Sequence, residues 1–427
     1  MSSKEKGLPW LPLFVLSFAY GAAYNAPYIR YFLYDPMREA MKCSNMELGL
    51  LATVMAVASM LCQIPGGWIA DKFGIKKILI ISLCADFPLV VISVIFVDIY
   101  PVQLAVWICF AFAVGFAFWA AVLKGIRLLG REKGSSMTFG IFGAMEGTIA
   151  ALINLLAVEI FSRFENQVTG YRMAHLLMGA CCLVGAVLVG VFFKEEEILG
   201  ESQEEKEKFH IRDTLQLLKN PNIYFAAVLI FAIYGLSVSQ SYMTPYFTGI
   251  LGAGLAFTGV FAIIRDYGIR LVGGPLGGRI AAGLRSATKL NVLCLLMCAC
   301  LIFIISRLDG GMKGIVAAAA VLVLLNAFAC SMAKSTMWGN LDDAGIPMKL
   351  TGTAIALITP VAINLPDAVL PPLNGWLLDT FSHDLPRAYG YYFAILIAMA
   401  LTGAAAGMAI ILGNRRKKKA RTDDTTL

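Results

Sequence analysis

Charge is what this sequence has least of: Asp, Glu, Lys and Arg make up 15% of its 427 residues, against 59% hydrophobic residues and a mean hydropathy of +0.74. An ordinary water-soluble fold cannot hide so much apolar surface, so lipid must cover the excess. Histidine is scarcer still, with His175, His210 and His383 far apart in the chain. The ten cysteines are scattered, and the closest groupings are Cys181–Cys182 and Cys294, Cys298 and Cys300. Cys294 and Cys298 lie one helical turn apart but have no further ligand type nearby, so they read as small packing residues rather than a metal site. No nucleophile, base or metal constellation and no GxxxxGK phosphate loop occurs, which argues against an enzyme and against any cofactor. Alternating runs of about ten residues, which a membrane barrel needs, are missing. The first apolar stretch is long, aromatic and not followed by a small-residue cleavage pattern, so it reads as a span rather than a leader. No Asn-x-Ser/Thr sequon is found, which fits a bacterial cytoplasmic (inner) membrane.

What is present is a succession of apolar runs long enough to cross a bilayer, each about 20 residues. They fall near 10–34, 46–70, 77–98, 102–126, 135–160, 171–193, 221–248, 255–278, 289–307, 313–338, 351–378 and 387–413, twelve transmembrane helices in an all-α integral membrane protein. Lys72, Lys76 and Lys77 follow the second run, Arg127, Arg131 and Lys133 the fourth, and Arg279, Arg285 and Lys289 the eighth. Basic residues are retained on the cytoplasmic side, so both termini are expected there, with the basic tail at 414–427. The longest hydrophilic stretch, 194–220, reads as a cytoplasmic linker between a six-helix bundle over 1–193 and another over 221–413.

The halves repeat one another. Tyr20-Gly21 with Tyr28 corresponds to Tyr234-Gly235 with Tyr242 at an offset of 214, GGWIADKF at 66–73 to GGRIAAGL at 277–284 at 211, and Lys124 to Lys334 at 210. Matches in the same order at nearly constant spacing indicate duplication. In GGWIADKFGIKK, the residues Gly67, Asp71, Lys72, Gly74, Lys76 and Lys77 match a loop signature, and by it the chain resembles the Major Facilitator Superfamily. The resemblance implies two six-helix pseudo-repeats, a substrate path near the midplane between them, alternating access, and a gating role for Gly67, Asp71, Lys72, Gly74 and Lys76. In the second copy Ala282 and Gly283 replace the Asp and the basic residue, so only one half carries the full charge latch. LKGIRLLG at 123–130, FGIFGAMEG at 139–147 and the AGIP, TGTA and LPD stretches resemble a branch that includes sulfosugar and organic-anion permeases. Members of that branch often carry Arg shortly after the Glu-Gly of helix 5, whereas Thr148 and Ile149 stand here. The Gly-Pro-rich helix-5 signature of proton-driven drug exporters is absent, which points toward uptake.

Ionisable residues inside spans are functional candidates by default, because burial costs several kcal/mol unless they are paired or wet. Glu146, Asp266 and Asp367 are the candidates for ion coupling, and Asp86 is a further acid in helix 3. Asp266 and Arg270 are four residues apart and are expected to neutralise one another on one helix face. Arg265 then needs another partner. Lys124 and Lys334 either snorkel to the inner headgroups or face the path. Tyr20, Tyr24, Tyr28, Tyr31 and Tyr34 form one helical stripe, of which Tyr24 and Tyr28, with Asn25 beside them and Arg30 beyond, read as cavity wall. Gln240 and Tyr242 lie in a stretch of helix 7 too polar to face lipid. The cationic candidates Arg30, Lys124, Arg265, Arg270 and Lys334 suit a carboxylate, sulfonate or phosphate. The expected function is secondary active transport of a small organic anion by proton symport, with sodium as the other candidate ion. An anion exchanger or uncoupled facilitator is the nearest alternative, and a membrane sensor or receptor is the alternative from another class. The lipid bilayer is the expected environment, a monomer the expected state, and no nucleic acid is expected as a partner.

Overall fold

The computed structural model describes residues 10–129, 135–194, 217–308, 314–346 and 350–424. Linker residues 195–216 with His210, and the loop holding Arg131 and Lys133, lie outside the described residues, as do the side chains of Gly67, Asp71, Lys72, Arg127, residues 351–353 and the basic tail. Every regular element described is helical. Lipid-facing chemistry is visible on the outside: Leu61 is 71% exposed and Ile81 69%, with no protein covering them. In hydrocarbon all backbone groups must bond within the segment, which is why apolar runs of this length become helices.

Nine helical stretches among the described residues are long and apolar enough to cross a membrane. The other expected spans, the first, eighth and eleventh, are broken helices. The first is α1 (Trp10–Asn25), which stops two residues before Pro27 and gives way to a 3₁₀ turn, Ile29–Tyr31, and then to α2 (Tyr34–Met41). Pro27 has no N–H for the ladder, and its ring clashes with the preceding turn. The expected five-tyrosine helical stripe therefore ends early. Tyr34 opens α2, is 1% exposed, and donates its hydroxyl to Asn45 Oδ1 at 3.1 Å.

The first unit continues with α3 (Asn45–Phe73), α4 (Ile75–Ile95), α5 (Tyr100–Phe110), a π-helical segment (Ala111–Phe116), α6 (Phe118–Leu129), α7 (Ser135–Ser162) and α8 (Gln167–Phe192). Ser44 and Glu47 form a reciprocal capping box that starts α3. Gly74 alone separates α3 from α4, at φ +80°, a conformation that an L side chain rarely adopts. Within this unit α4 packs along α8, and α1 packs against α7 and α8. Gly21 brings α1 close to α7, since a Cβ there would sit 3.4 Å from Ile149 and 3.5 Å from the backbone at Ala150 and Glu146. The segment Gly254–Gly268, with α11 (Leu255–Ile263), clusters with this unit. A Cβ at Gly259 would lie 3.2 Å from Val158.

The second unit contains α9 (Pro221–Ser239), a 3₁₀ turn (Gln240–Tyr242), α10 (Met243–Gly249), α12 (Ile269–Leu284), α13 (Ala287–Ile305), α14 (Ile315–Thr336), α15 (Asn340–Asp343), α16 (Thr351–Thr359), α17 (Leu365–Thr380) and α18 (Leu385–Asp424). A π segment, Pro360–Asn364, joins α16 to α17. Helix pairs α13–α18, α9–α18, α12–α14 and α13–α14 form its core. Gly-x-x-x-Gly spacings fall on helices of the chain, among them Gly143/Gly147, Gly273/Gly277, Gly274/Gly278 and Gly403/Gly407. Two of them are used inside this unit. A Cβ at Gly277 would meet the Met332 backbone at 2.9 Å, one at Gly407 would meet Val292 at 2.5 Å, and Gly403 abuts Ala232. Close backbone approach at small residues is how helices gain contact where lipid offers no hydrophobic drive.

Candidate functional site

In the first unit the tyrosines of helix 1 form a continuous aromatic wall. Tyr20 and Tyr24 have ring centroids 4.5 Å apart, Tyr24 and Tyr28 6.2 Å, and Tyr28 and Tyr31 5.7 Å. Trp119 of α6 and Phe142 of α7 extend the wall from Tyr20 at 5.4 and 5.6 Å. Sequence patterning on helix 1 could not find these two, because they come from other helices. The Tyr24 hydroxyl donates to the carbonyl of Val114 at 3.2 Å, inside the π segment. Arg30 is 2% exposed, with its guanidinium 5.3 Å over the Tyr31 ring. It is a buried cation on an aromatic face. Asn25 is also buried, and its Nδ2 has no hydrogen-bond partner.

The most charged feature of this unit is in the π segment Ile264–Gly268. Arg265 donates from Nε to Asp266 Oδ1 at 2.9 Å and from a terminal nitrogen to Oδ2 at 2.8 Å. The side chain of Arg265 is fully buried and that of Asp266 is 12% exposed. The expected Asp266–Arg270 pair is thus replaced by a pair of adjacent residues. The physical reason is the wider π turn, which changes the angular phase on which the i, i+4 expectation rests. The other terminal nitrogen of Arg265 is buried and has no hydrogen-bond partner. Glu146 and Lys124 both lie in this unit, at intermediate exposure, and each takes part in interactions of its own.

The second unit holds a separate chain of polar groups. The Lys334 ammonium of α14 donates to Ser237 Oγ at 3.1 Å and lies 4.8 Å above the ring of Tyr234. The Tyr234 hydroxyl donates to Asp367 Oδ2 at 2.8 Å. One tyrosine from α9 thus bridges a cation on its face and an anion at its hydroxyl. Tyr234 was legible only as the repeat of Tyr20; its partners come from α14 and α17. Gln240 is buried. Tyr242 is 1% exposed, donates its hydroxyl to the carbonyl of Pro371, and receives at its own carbonyl the hydroxyl of Tyr389 at 3.2 Å. Its side chain is packed among α9, α17 and α18. Arg270, in α12, is exposed and has interactions of its own. Of the gating residues, Gly74 and Lys76 are described at the turn from α3 to α4, whereas the side chains of Gly67, Asp71 and Lys72 lie outside the described residues.

Among the described residues no group of His, Cys, Asp and Glu is arranged for a metal ion. Cys298 and Cys330 approach to 3.6 Å between sulfurs as a buried thiol pair. The described groups are cations with planar donors, aromatic faces, hydroxyls and carboxylates inside apolar helices, which suit solute binding.

The chain is similar to the inner membrane protein YqcE of Escherichia coli K12, 27% identical over 424 residues that cover 97% of this chain and 96% of the relative. It is 26% identical over 403 residues to the "Probable sulfoacetate transporter SauU" of Cupriavidus necator, covering 88% of this chain and 87% of that one. The crystal structure of the nucleoside transporter NupG has the same fold, with a TM-score of 0.73 at 13% identity over 94% of this chain and 98% of that one. Residues 13–371 match the Major Facilitator Superfamily as a whole, and with the broken-helix bundles and buried polar groups above, this chain belongs to that superfamily: it is a multi-pass membrane transporter and not an enzyme.

Proposed function

We propose that the protein is a secondary active transporter that carries a small organic anion across the bacterial inner membrane by alternating access, coupled to protons as a symporter, with both termini cytoplasmic. The observation that carries this reading is Arg265, a fully buried guanidinium that shares two donors with Asp266 and keeps a third buried donor unpartnered. Nothing about packing asks for such a group inside a membrane helix. A carboxylate or sulfonate supplies the acceptors it lacks. Protonation of Asp266 would release the donors that it holds, so anion and proton would bind together. Arg30, Lys124, Arg270 and Lys334 are the further cations of the proposed path, with Tyr24, Asn25, Tyr28 and Gln240 as polar wall. The sulfonate named for SauU is of the chemistry expected, and YqcE is described as an inner membrane protein. A second reading, anion exchange without protons, is favoured by the fact that Asp266 and Asp367 already have partners in Arg265 and Tyr234.

A thermal-shift screen of carboxylates, sulfonates and sugar phosphates on purified protein tests the anion class, with stabilisation expected from at least one member. A screen in which neutral solutes stabilise and anions do not would sink the proposal. Uptake into proteoliposomes under an imposed pH gradient, compared with counterflow, separates symport from exchange. Glu146→Gln is expected to lose uphill uptake and retain counterflow if Glu146 carries the proton. Normal uphill uptake passes that role to Asp266 or Asp367, and loss of both modes with lowered stability makes Glu146 a structural partner.

A further inference from the structure

Asp86 sits in the middle of α4 and is 0% exposed. Both of its carboxyl oxygens are buried without a hydrogen-bond partner. No other acid among the described residues is left with both oxygens unpartnered in this way. An ionised carboxylate cannot persist in such a place without a cation or several donors, so in this conformation the group is the neutral acid. For packing alone, an apolar side chain of similar volume would serve better, because it has no polar atoms to desolvate.

The surroundings give the acid a use. Of the elements packed on α4, α1 contributes the Tyr24 hydroxyl and α8 the Cys182 thiol within its electrostatic reach. The charged side chains described on the elements packed against α4, among them Glu47 of α3, Lys124 of α6 and Arg172 of α8, make no hydrogen bond to it. Cys182 is already committed to the carbonyl of Ala22 at 3.5 Å. The Tyr24 hydroxyl is held by a single carbonyl, that of Val114 at 3.2 Å, toward the long end for an O–H donor. Asn25, the next residue on α1, has an amide nitrogen buried and unpartnered. A negative charge at Asp86 is therefore met from α1 by the Tyr24 hydroxyl, a donor that is weakly held.

We propose that Asp86 is a proton-binding site behind the aromatic wall, protonated in this conformation, and that loss of its proton draws the Tyr24 hydroxyl from Val114 to the carboxylate. The proton leaves to water, and the charge left behind is taken up by the Tyr24 hydroxyl as donor. Because Tyr24 stacks on Tyr20 and Tyr28, the wall shifts with it. Proton binding stands on this geometry alone; that it serves anion transport rests on the reading proposed above.

Infrared spectroscopy of the full chain in lipid nanodiscs, without any solute, tests it. The wild type is expected to show a deuterium-sensitive carbonyl stretch of a protonated carboxylic acid at neutral pH, lost in Asp86→Asn and in Asp86→Leu, both folded. Raising the pH should abolish the band and at the same time shift a tyrosine ring mode. Tyr24→Phe should remove that ring shift and leave the carboxyl band. Absence of an Asp86-dependent band at neutral pH overturns the proposal, as does a band that no pH within the folded range removes. A band that titrates with no change at Tyr24 overturns the coupling. Failure of both Asp86 variants to fold overturns it too, since an unpartnered carboxyl has no structural bond to lose. If these spectra behave as expected and no organic anion is carried, the transport reading fails and the proton site remains.

Discussion

Asp266→Asn tests the buried pair at its more accessible member. The substitution keeps the shape of the side chain, removes its charge, and turns one of the two acceptors facing Arg265 into a donor. At the observed 2.8 Å and an effective dielectric of about 20, the lost attraction is about 6 kcal/mol. The substitution recovers part of this, because at 12% exposure a neutral amide gives up less hydration on folding than a carboxylate does. Breaking a buried pair from one side typically costs about 3–5 kcal/mol, and that is the destabilisation expected. Most of it is the cost of a stranded guanidinium rather than the worth of the pair. Arg265→Met added to Asp266→Asn should therefore return stability to within about 1 kcal/mol of wild type. The assay is unfolding of purified protein in mixed micelles, with the two single variants and the double forming a cycle. An anion that stabilises the wild type should stabilise Asp266→Asn more, by filling the vacated acceptor positions, and should lose its effect in the double variant. Equal stability of Asp266→Asn and wild type, or a double variant as weak as the sum of the singles, would refute the reasoning.

If the loop charge at Asp71 acts on the balance between outward and inward states, Asp71→Asn should lower turnover more than substrate affinity; unchanged rates and unchanged cysteine-probe accessibility would remove that role. Gly277→Ala places a Cβ against the Met332 backbone at 2.9 Å, and overpacking of this kind should cost about 1–3 kcal/mol in the same micelle assay, with helix exposure near Met332 rising in parallel. At the surface, the hydrogen bond from Lys42 to Asp98 at 3.1 Å holds the Asp98 carboxyl below its ordinary range. Its folded value being lowered, the contribution is present above the ordinary carboxylate range and is lost as pH falls through the folded value. Proton titration of Asp98 followed by NMR should show the depression in wild type and a smaller one in Lys42→Met, with the difference shrinking in high salt.

Much of this protein was legible before any coordinates. Lipid as the solvent follows from the shortage of charge, and helices follow from lipid, since only internally bonded backbone survives there. The Tyr-Gly, Gly-Gly and Lys repeats and the loop at Gly67–Lys77 led to the superfamily, because residues that must stand at the same place in two copies of one bundle keep the same spacing. The broken spans were less legible. Periodicity assumes about 100° per residue along a straight helix, and at Pro27 and in the π segments over 111–116, 264–268 and 360–364 that phase is lost. Tyr34 accordingly leaves the stripe, and Asp266 turns to Arg265 instead of Arg270. Partners from other helices were beyond sequence altogether: Asp367 and Lys334 meet on Tyr234, Trp119 and Phe142 join Tyr20, and no described group hydrogen-bonds Asp86. The sequence by itself determined the solvent, the helices, the duplication and the inventory of charges inside the membrane. Only tertiary structure decided which of those charges are paired, because pairing in a bundle depends on which helix faces which, at what depth and in what rotation, and one helix's pattern records none of these.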